Sequence, residues 1–171
     1  MLTVLAALRL LLVTKSATRI VLEPANEEDL EADLAPNRPG RVRPSAALGA
    51  GCKLIVQVKS NGGEPWSVEA FKALLEHGEG RIKAKHHLDD PNVRYLLVTD
   101  ADAKGVARGL LVGDFEEQSD VDGFPPSLRR TLGHNPEGRV AIWGGLTSRL
   151  IELEIGRILD DVLRVPRIRQ S

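Results

Sequence analysis

The sequence predicts a single α/β domain in which a mixed β-sheet lies between helices. Short apolar runs bounded by turn residues recur along the chain and alternate with amphipathic segments, as is typical of strands separated by helices. The 171 residues suffice for one domain with a buried core. The net charge of −1 gives no global sign of nucleic-acid binding, so any DNA-binding surface must come from local basic clusters.

The first half of the chain predicts a helix, three strands and a second helix. In chain order these are residues 2–14, 19–23, 29–34, 53–59 and 68–77. Acidic and apolar residues alternate over 29–34, which is typical of a half-buried strand. Three prolines and three glycines in residues 36–51 predict a loop or a hairpin connection. Ser67 is expected to cap the second helix, with Glu69 in its first turn.

The second half predicts two more strands and two more helices. Residues 93–99 are expected to form a buried central strand, residues 125–132 a short basic helix and residues 139–143 the last strand. Residues 147–163 carry apolar side chains at helical spacing and predict an amphipathic closing helix. Two segments stay open: residues 81–90 predict a helix or a loop, and residues 109–112 a short edge strand or a helical turn.

The apolar N-terminal segment, residues 2–12, has Arg9 as its one charged side chain. It lacks a basic leader and a small-residue cleavage site, and it is too short to span a bilayer. A buried first helix is therefore expected rather than a signal peptide or an anchor. The single cysteine, Cys52, excludes an internal disulfide and a cysteine-based zinc site, and we expect it in the core. Together these features predict a cytoplasmic protein without membrane contact.

The strand at residues 53–59 places Gln57 and Lys59 on one face, because side chains alternate along a strand, and its leucine and valines on the other. A lysine in so apolar a strand needs an anionic partner or a chemical task. A run rich in acidic residues lies upstream, at residues 27–33. An acidic run followed by a Q-x-K strand is typical of a metal-dependent phosphodiesterase.

The chemistry of phosphodiester hydrolysis explains why these residue types would occur together. The reaction needs a divalent cation, an activated water and positive charge near the scissile phosphate, and magnesium prefers oxygen ligands. Asp29, helped by Glu28 or Glu31, would hold the metal. Gln57 would stand where a second acid often stands, and Lys59 would stabilise the developing charge. The structural alternative is a solvated acidic loop beside an edge strand whose lysine extends into water.

These residues resemble the PD-(D/E)xK, or restriction-endonuclease-like, nuclease superfamily. The pattern is similar in particular to the Q-x-K branch found in double-stranded DNA nuclease domains of anti-phage defence proteins. The resemblance includes the acidic residues 28–31, the sequence Q-V-K-S at residues 57–60 and the Trp66-Ser67 pair that opens the next helix. It implies a three-layer restriction-endonuclease-like fold, a Mg²⁺ or Mn²⁺ cofactor and double-stranded DNA as the substrate.

Residue by residue, the resemblance makes Asp29 the metal-binding acid, Gln57 the variant second acid and Lys59 the catalytic lysine. Glu23 matches an additional acid that some members place before the core strands. Glu28 and Glu31 stay open as metal ligands beside Asp29, because the acidic run offers several carboxylates. The expected metal ligands are therefore Asp29, Glu31, Glu28, Gln57 and Glu23.

The expected partners follow from local charge and from the same resemblance. Arg81, Lys83, Lys85 and Arg129 are predicted to contact DNA phosphates. Domains of this branch often sit in front of a P-loop NTPase or a sensor domain, and residues 164–169 are typical of a linker, so we expect this domain to be the N-terminal part of a larger protein. We also expect a homo-oligomer.

Two other functions stay open. A module that kept the nuclease fold but serves in nucleic-acid binding or assembly would explain the glutamine, which removes one anionic metal ligand. An RNA-processing nuclease is disfavoured, because two tryptophans, one tyrosine and three phenylalanines leave few side chains on which bases can stack.

Overall fold

The fold is given by a computed structural model that describes residues 1–22, 29–34, 52–77, 84–113, 119, 124–133 and 139–164. The helices in these ranges are α1 (Leu2–Leu8), continued by a π-helical turn (Arg9–Val13), α2 (Val68–Glu76), α3 (Ala84–His87), a 3₁₀ helix (Gly105–Leu110), α4 (Pro126–Leu132) and α5 (Ser148–Leu163). The strands are β1 (Ala17–Leu22), β2 (Leu30–Leu34), β3 (Lys53–Val58), β4 (Val93–Val98) and β5 (Val140–Trp143).

These strands form one five-stranded mixed sheet in the order β1-β2-β3-β4-β5. β2 runs antiparallel to β1 and β3, whereas β3, β4 and β5 run parallel to one another. Parallel neighbours need a crossover connection, and α2 and α3 lie in the connection from β3 to β4. All six residues of β4 are buried, as expected of a central strand covered on both faces. The predicted α/β class, with a mixed sheet between helices, is confirmed.

Each face of the sheet has its own apolar core, which follows from the alternation of side chains along the strands. Ile55, Tyr95 and Leu97 pack on one face against α2, the 3₁₀ helix and α4. Val56 and Leu96 pack on the opposite face against α1 and α5. Gln57 is in phase with Ile55 and lies on the face covered by α2. The predicted site is therefore built on that face.

Arg139 links two segments of the fold through its side chain. Its guanidinium is buried and donates to the carbonyl oxygens of Val93 at 3.0 Å, Leu132 at 2.9 Å, Asp90 at 2.8 Å and also Leu88. It thereby joins the end of α4 to the chain entering β4. Burial lowers the pKa of this guanidinium, and the nearby carboxylates of Asp90 and Asp89 oppose that effect.

The predicted helix cap is confirmed. Ser67 Oγ accepts a hydrogen bond from the Ala70 N–H at 3.1 Å at the start of α2. Thr147 serves α5 in the same way, since its Oγ1 accepts from the Leu150 N–H at 3.4 Å. Cys52 is buried, as expected.

Some boundaries and packing details differ from the sequence-based expectations. The first helix, predicted as regular over residues 2–14, ends in the π-helical turn, where the Thr14 N–H donates to the Arg9 carbonyl at 2.9 Å. Residues 109–112 combine the two alternatives, because the 3₁₀ helix ends at Leu110 and Leu111 bridges to Ile142 of β5. The loop or hairpin expected at residues 36–51 lies outside the described residues.

The closing helix also packs less fully than its apolar pattern predicts. Within α5, Ile151 and Ile158 are buried against α1 and the sheet, whereas Leu153 is 62% and Leu163 81% exposed. The described part of the chain contains no helix that is both long and apolar enough to cross a lipid bilayer.

Candidate functional site

Pairing of β2 with β3 brings the predicted acid and the predicted glutamine together. The antiparallel register sets Leu30 opposite Val56, so that Asp29, just before β2, lies beside Gln57 near the end of β3. Asp29 Oδ2 accepts hydrogen bonds from Gln57 Nε2 at 2.5 Å and from the Val58 N–H at 2.7 Å. Both side chains are half-buried. We call these two side chains the Asp29–Gln57 pair.

The geometry of this pair leaves oxygen atoms for a cation. An ionised carboxylate can only accept hydrogen bonds, so Gln57 must turn its amide nitrogen toward Asp29, which leaves Gln57 Oε1 pointing elsewhere. Within the described residues, both hydrogen bonds to Asp29 end on Oδ2. Asp29 Oδ1 and Gln57 Oε1 therefore remain as oxygen donors of the kind that magnesium prefers.

Glu31, the other predicted metal ligand among the described residues, is turned away from this point. Glu31 is on β2, in register with Ile55, and its Oε1 accepts from Lys53 Nζ at 2.5 Å. That ion pair holds the Glu31 carboxylate toward the opposite end of β3 from Gln57. Glu23 and Glu28 lie outside the described residues. Of the five predicted ligands, the structure thus joins Asp29 and Gln57 directly.

Lys59 follows β3 at the same edge of the sheet. Its backbone N–H donates to the Val98 carbonyl at 3.1 Å, so it is held in line with the sheet although β3 ends at Val58. Its side chain is exposed. Within the described residues no ion pair engages its ammonium group. The lysine is therefore available to an anionic ligand beside the Asp29–Gln57 pair.

Lys59 also forms part of the wall of an open groove of about 270 Å³ between the end of β3 and α2. The groove is lined by Lys59, Asn61, Trp66, Ala70, Ala73, Leu74 and His77. We call it the α2 groove. It gives the predicted site a concave surface next to its lysine.

The predicted DNA-contacting residues are only partly described. Lys85 lies on α3, and Arg129 is exposed on α4. Both helices cover the face of the sheet that carries the Asp29–Gln57 pair, because their buried residues belong to the same core as Ile55. Arg81 and Lys83 lie outside the described residues.

His87, on α3, lies partly inside the protein. Its Nε2 is buried and has no hydrogen-bond partner among the described residues. Burial lowers the pKa of His87, and the Glu31 carboxylate nearby opposes the effect while Lys53 adds to it. His87 thus packs near the Glu31–Lys53 ion pair rather than in bulk solvent, whereas the neighbouring His86 is exposed.

The sequence reasoning missed the contribution of the residues that follow β4. β3 and β4 are parallel, with Val58 opposite Val98, so their carboxyl ends meet at one edge. There Ser60 Oγ donates to Asp100 Oδ2 at 3.1 Å, and Trp66 Nε1 donates to the buried Thr99 Oγ1 at 3.1 Å. The polar Thr99-Asp100 pair directly after an apolar strand was the available signal.

The donor set allows a half-open cation site. Among the described residues, no group of three or more histidine, cysteine, aspartate or glutamate side chains is placed to hold a metal ion. The Asp29–Gln57 pair offers one carboxylate and one amide oxygen, which suits magnesium because this ion keeps several waters and takes further ligands from substrate phosphates. The residues present therefore fit a magnesium ion that keeps several of its waters.

Comparison of the chain with models of known families, with curated proteins and with solved structures gives no match. A function must therefore be inferred from the side chains themselves.

Proposed function

We propose that this protein is a metal-dependent endonuclease that hydrolyses phosphodiester bonds of double-stranded DNA. The observation that carries the proposal is the hydrogen-bonded Asp29–Gln57 pair, with Lys59 directly after β3 at the same sheet edge. An acidic residue before the second strand and a Q-x-K sequence at the end of the third are thereby adjacent in space, as the resemblance to PD-(D/E)xK nucleases requires. The mixed sheet between helices, entered in the order helix, three strands and helix, supports the same assignment of fold.

In the proposed mechanism, Asp29 Oδ1 and Gln57 Oε1 would hold a magnesium ion at the edge between β2 and β3. When bound there, the ion would supply positive charge at the phosphate and make water a stronger nucleophile. Lys59 places its ammonium group beside the scissile phosphate and stabilises the negative charge that develops there. α2, α3 and α4 cover the same face, and Lys85 and Arg129 on these helices contact neighbouring phosphates without regard to sequence.

In the absence of metal and DNA, Gln57 stabilises the site better than a second carboxylate at the same position would. Two carboxylates at this separation would repel each other, whereas an amide donates to the carboxylate and holds it in place. The cost is a lower negative charge at the proposed metal site, so its affinity for free magnesium would be low and would increase when DNA phosphates add further oxygen ligands. Metal binding at this site would therefore depend more on substrate than metal binding at a site with two carboxylates.

The resemblance in sequence is the basis for two further parts of the proposal. Domains of this branch act as effectors in anti-phage defence, and a sensor or NTPase domain would control this one. We also propose self-association of the chain, which would let two sites act on the two strands of a duplex.

A second candidate is a nuclease-fold module that binds nucleic acid without cleaving it. The observation in its favour is that the Asp29–Gln57 pair has a single carboxylate. Metal affinity separates the two candidates, because a binding module does not need magnesium or manganese near Asp29. Titration of Mn²⁺ in the presence of a short DNA duplex, followed by electron paramagnetic resonance, measures this directly. Saturable binding that is lost in Asp29→Ala favours the endonuclease.

The test of the main proposal is cleavage of supercoiled plasmid by the whole chain with Mg²⁺, with Mn²⁺ or with EDTA. Metal-dependent nicking or linearisation is expected, and we expect it to be lost in Lys59→Ala and in Asp29→Ala. Lys53→Ala is the matched control, because Lys53 lies on the same strand and is paired with Glu31 away from the site. Cleavage that survives in Lys59→Ala, or that is lost equally in Lys53→Ala, contradicts the assignment of Lys59.

A further inference from the structure

The α2 groove has a shape and a lining that suit one nucleotide. Its floor is small and apolar, formed by Ala70, Ala73 and Leu74 of α2 and by the indole of Trp66. Its rim carries Lys59, Asn61 and His77, and none of the described side chains that line it is acidic. At about 270 Å³ it is slightly smaller than typical small-molecule pockets, which span roughly 300–1,000 Å³. It can therefore hold one small unit rather than a stretch of polymer.

The walls of the groove are fixed before any ligand binds. Trp66 is 3% exposed and is held by its indole bond to Thr99, by its N–H donating to the Asp102 carbonyl at 2.8 Å and by its carbonyl accepting from the Lys104 N–H at 2.9 Å. On the other side, Asn61 opens a tight turn in which its Nδ2 donates to the Glu64 carbonyl at 2.8 Å. Such preorganisation reduces the entropy that a ligand loses on binding.

The chemistry of the lining selects a phosphorylated ligand. An apolar floor accepts the faces of a base and a deoxyribose, and the ammonium group of Lys59 with the imidazole of His77 provides donors for a phosphate. The groove also lies next to the Asp29–Gln57 pair, since Lys59 is two residues beyond Gln57, a distance of roughly 7 Å along a strand. A ligand in the groove is thus adjacent to the proposed metal site.

We propose that the α2 groove binds the nucleotide that flanks the scissile phosphate, with its base out of the duplex stack. The position of that nucleotide relative to the scissile bond rests on the proposed nuclease function, whereas nucleotide binding by the groove does not. A base in the groove must leave its stack, which costs a few kcal/mol in an intact duplex and least where the base is already unpaired. The substrate class is therefore DNA with an unpaired nucleotide beside the cut, such as a gap, a flap or a frayed end.

The binding part of this proposal is tested with deoxythymidine monophosphate as the probe, in EDTA. The indole N–H resonance of Trp66 is followed by NMR, with Trp143→Phe used to assign it. We expect saturable shifts, with thymidine and inorganic phosphate each binding about tenfold more weakly than the nucleotide. Phosphate that binds as tightly as the nucleotide would reduce the groove to a simple anion site and overturn the proposal.

Two variants connect the binding to the groove. Ala73→Trp fills the groove from an exposed helix position, and Glu76→Trp adds the same bulk to α2 outside it. We expect nucleotide binding to weaken about tenfold or more in the first variant and to persist in the second. His77→Ala removes a rim donor without adding bulk and should weaken the nucleotide but not thymidine. Equal effects of Ala73→Trp and Glu76→Trp would overturn the proposal, provided circular dichroism shows both variants folded.

A cleavage assay distinguishes failure of this proposal from failure of the nuclease assignment. We expect cleavage of a gapped duplex to exceed that of the intact duplex, and this preference to disappear in Ala73→Trp. Nucleotide binding without any cleavage would leave the groove as a nucleotide site and refute the nuclease. Cleavage without nucleotide binding would support the nuclease and refute the groove as a nucleotide site.

Discussion

Gln57→Glu is the substitution that tests most directly whether the Asp29–Gln57 pair is a metal site. The change is nearly isosteric, but it replaces the amide donor at 2.5 Å from Asp29 Oδ2 by a second carboxylate. In the absence of metal, the hydrogen bond is lost and two negative charges face each other. With magnesium bound, both carboxylates become ligands. The substitution should therefore lower the free energy of unfolding of the metal-free protein and increase its affinity for magnesium.

The magnitude follows from the contacts. A hydrogen bond to a charged group contributes about 1.5–3 kcal/mol. Two like charges about 4 Å apart cost about 1 kcal/mol in water and about 4 kcal/mol at the effective dielectric constant of a protein surface. Both side chains are half-buried, so solvent screens part of the repulsion. We expect the free energy of unfolding to fall by about 2–4 kcal/mol in EDTA.

The assay is urea unfolding of wild type and variant at pH 7.5, with EDTA or with excess Mg²⁺. An ion present at a hundredfold excess over its dissociation constant adds about 2.7 kcal/mol to the free energy of unfolding. The variant should regain most of its loss in Mg²⁺, whereas the wild type should gain less. Asp29→Asn combined with Gln57→Glu restores a carboxylate facing an amide, so the double variant should be more stable in EDTA than Gln57→Glu alone.

Two results would refute this reasoning. Equal stability of Gln57→Glu and wild type in EDTA would mean that the two side chains do not meet as described. A destabilised variant that magnesium does not rescue would mean that they meet but do not form a cation site. In the second case the non-catalytic binding module becomes the better assignment.

Three further predictions concern the buried groups. Burial lowers the pKa of His87, so the unfolded chain binds more protons than the folded chain as the pH falls. The neutral, partly buried His87 therefore stabilises the fold above the pKa of about 6.5 that histidine has in the unfolded chain, and this stability is lost as the pH falls through the lower pKa of the folded protein. His87→Gln should flatten the pH dependence of the free energy of unfolding, measured with urea, below about pH 7. Burial also raises the pKa of the Cys52 thiol, and a thiol-disulfide reagent should label it at least about tenfold more slowly in the native protein than in urea. Arg139→Met leaves buried carbonyl oxygens without donors and should lower the free energy of unfolding by about 3 kcal/mol or more, whereas Arg130→Met at an exposed position of α4 should change it by less than about 0.5 kcal/mol. A similar loss in both arginine variants would contradict the structural role of Arg139.

Local patterns account for the parts of the fold that were predicted correctly. The alternation of acidic and apolar residues in β2 identified which side chains are buried, because a strand exposes alternate faces whatever its partner is. Ser67 was identified as a cap because a serine oxygen can accept from a backbone N–H within one turn of itself. The uninterrupted apolar run of β4 identified a central strand. Each of these signals acts over a few residues.

Other features depend on residues that are distant in sequence. The ion pair of Glu31 with Lys53 removes one candidate ligand from the site, and it follows from the register of β2 against β3. The burial of His87 depends on where α3 packs on the sheet. Asp100 meets Ser60 only because β3 and β4 are parallel neighbours. A sequence pattern does not contain these distances, since register and strand order are settled by the packing of the whole domain.

The sequence by itself determined the α/β class, the strand that carries Gln57 and the face on which Gln57 lies, because alternation is a property of the strand alone. Only the tertiary structure decided which acid meets Gln57, that Lys59 borders a groove, and that the groove is formed with α2. Those are contacts between segments, and their free energy comes from burying two faces of one sheet against separate helices rather than from any local preference.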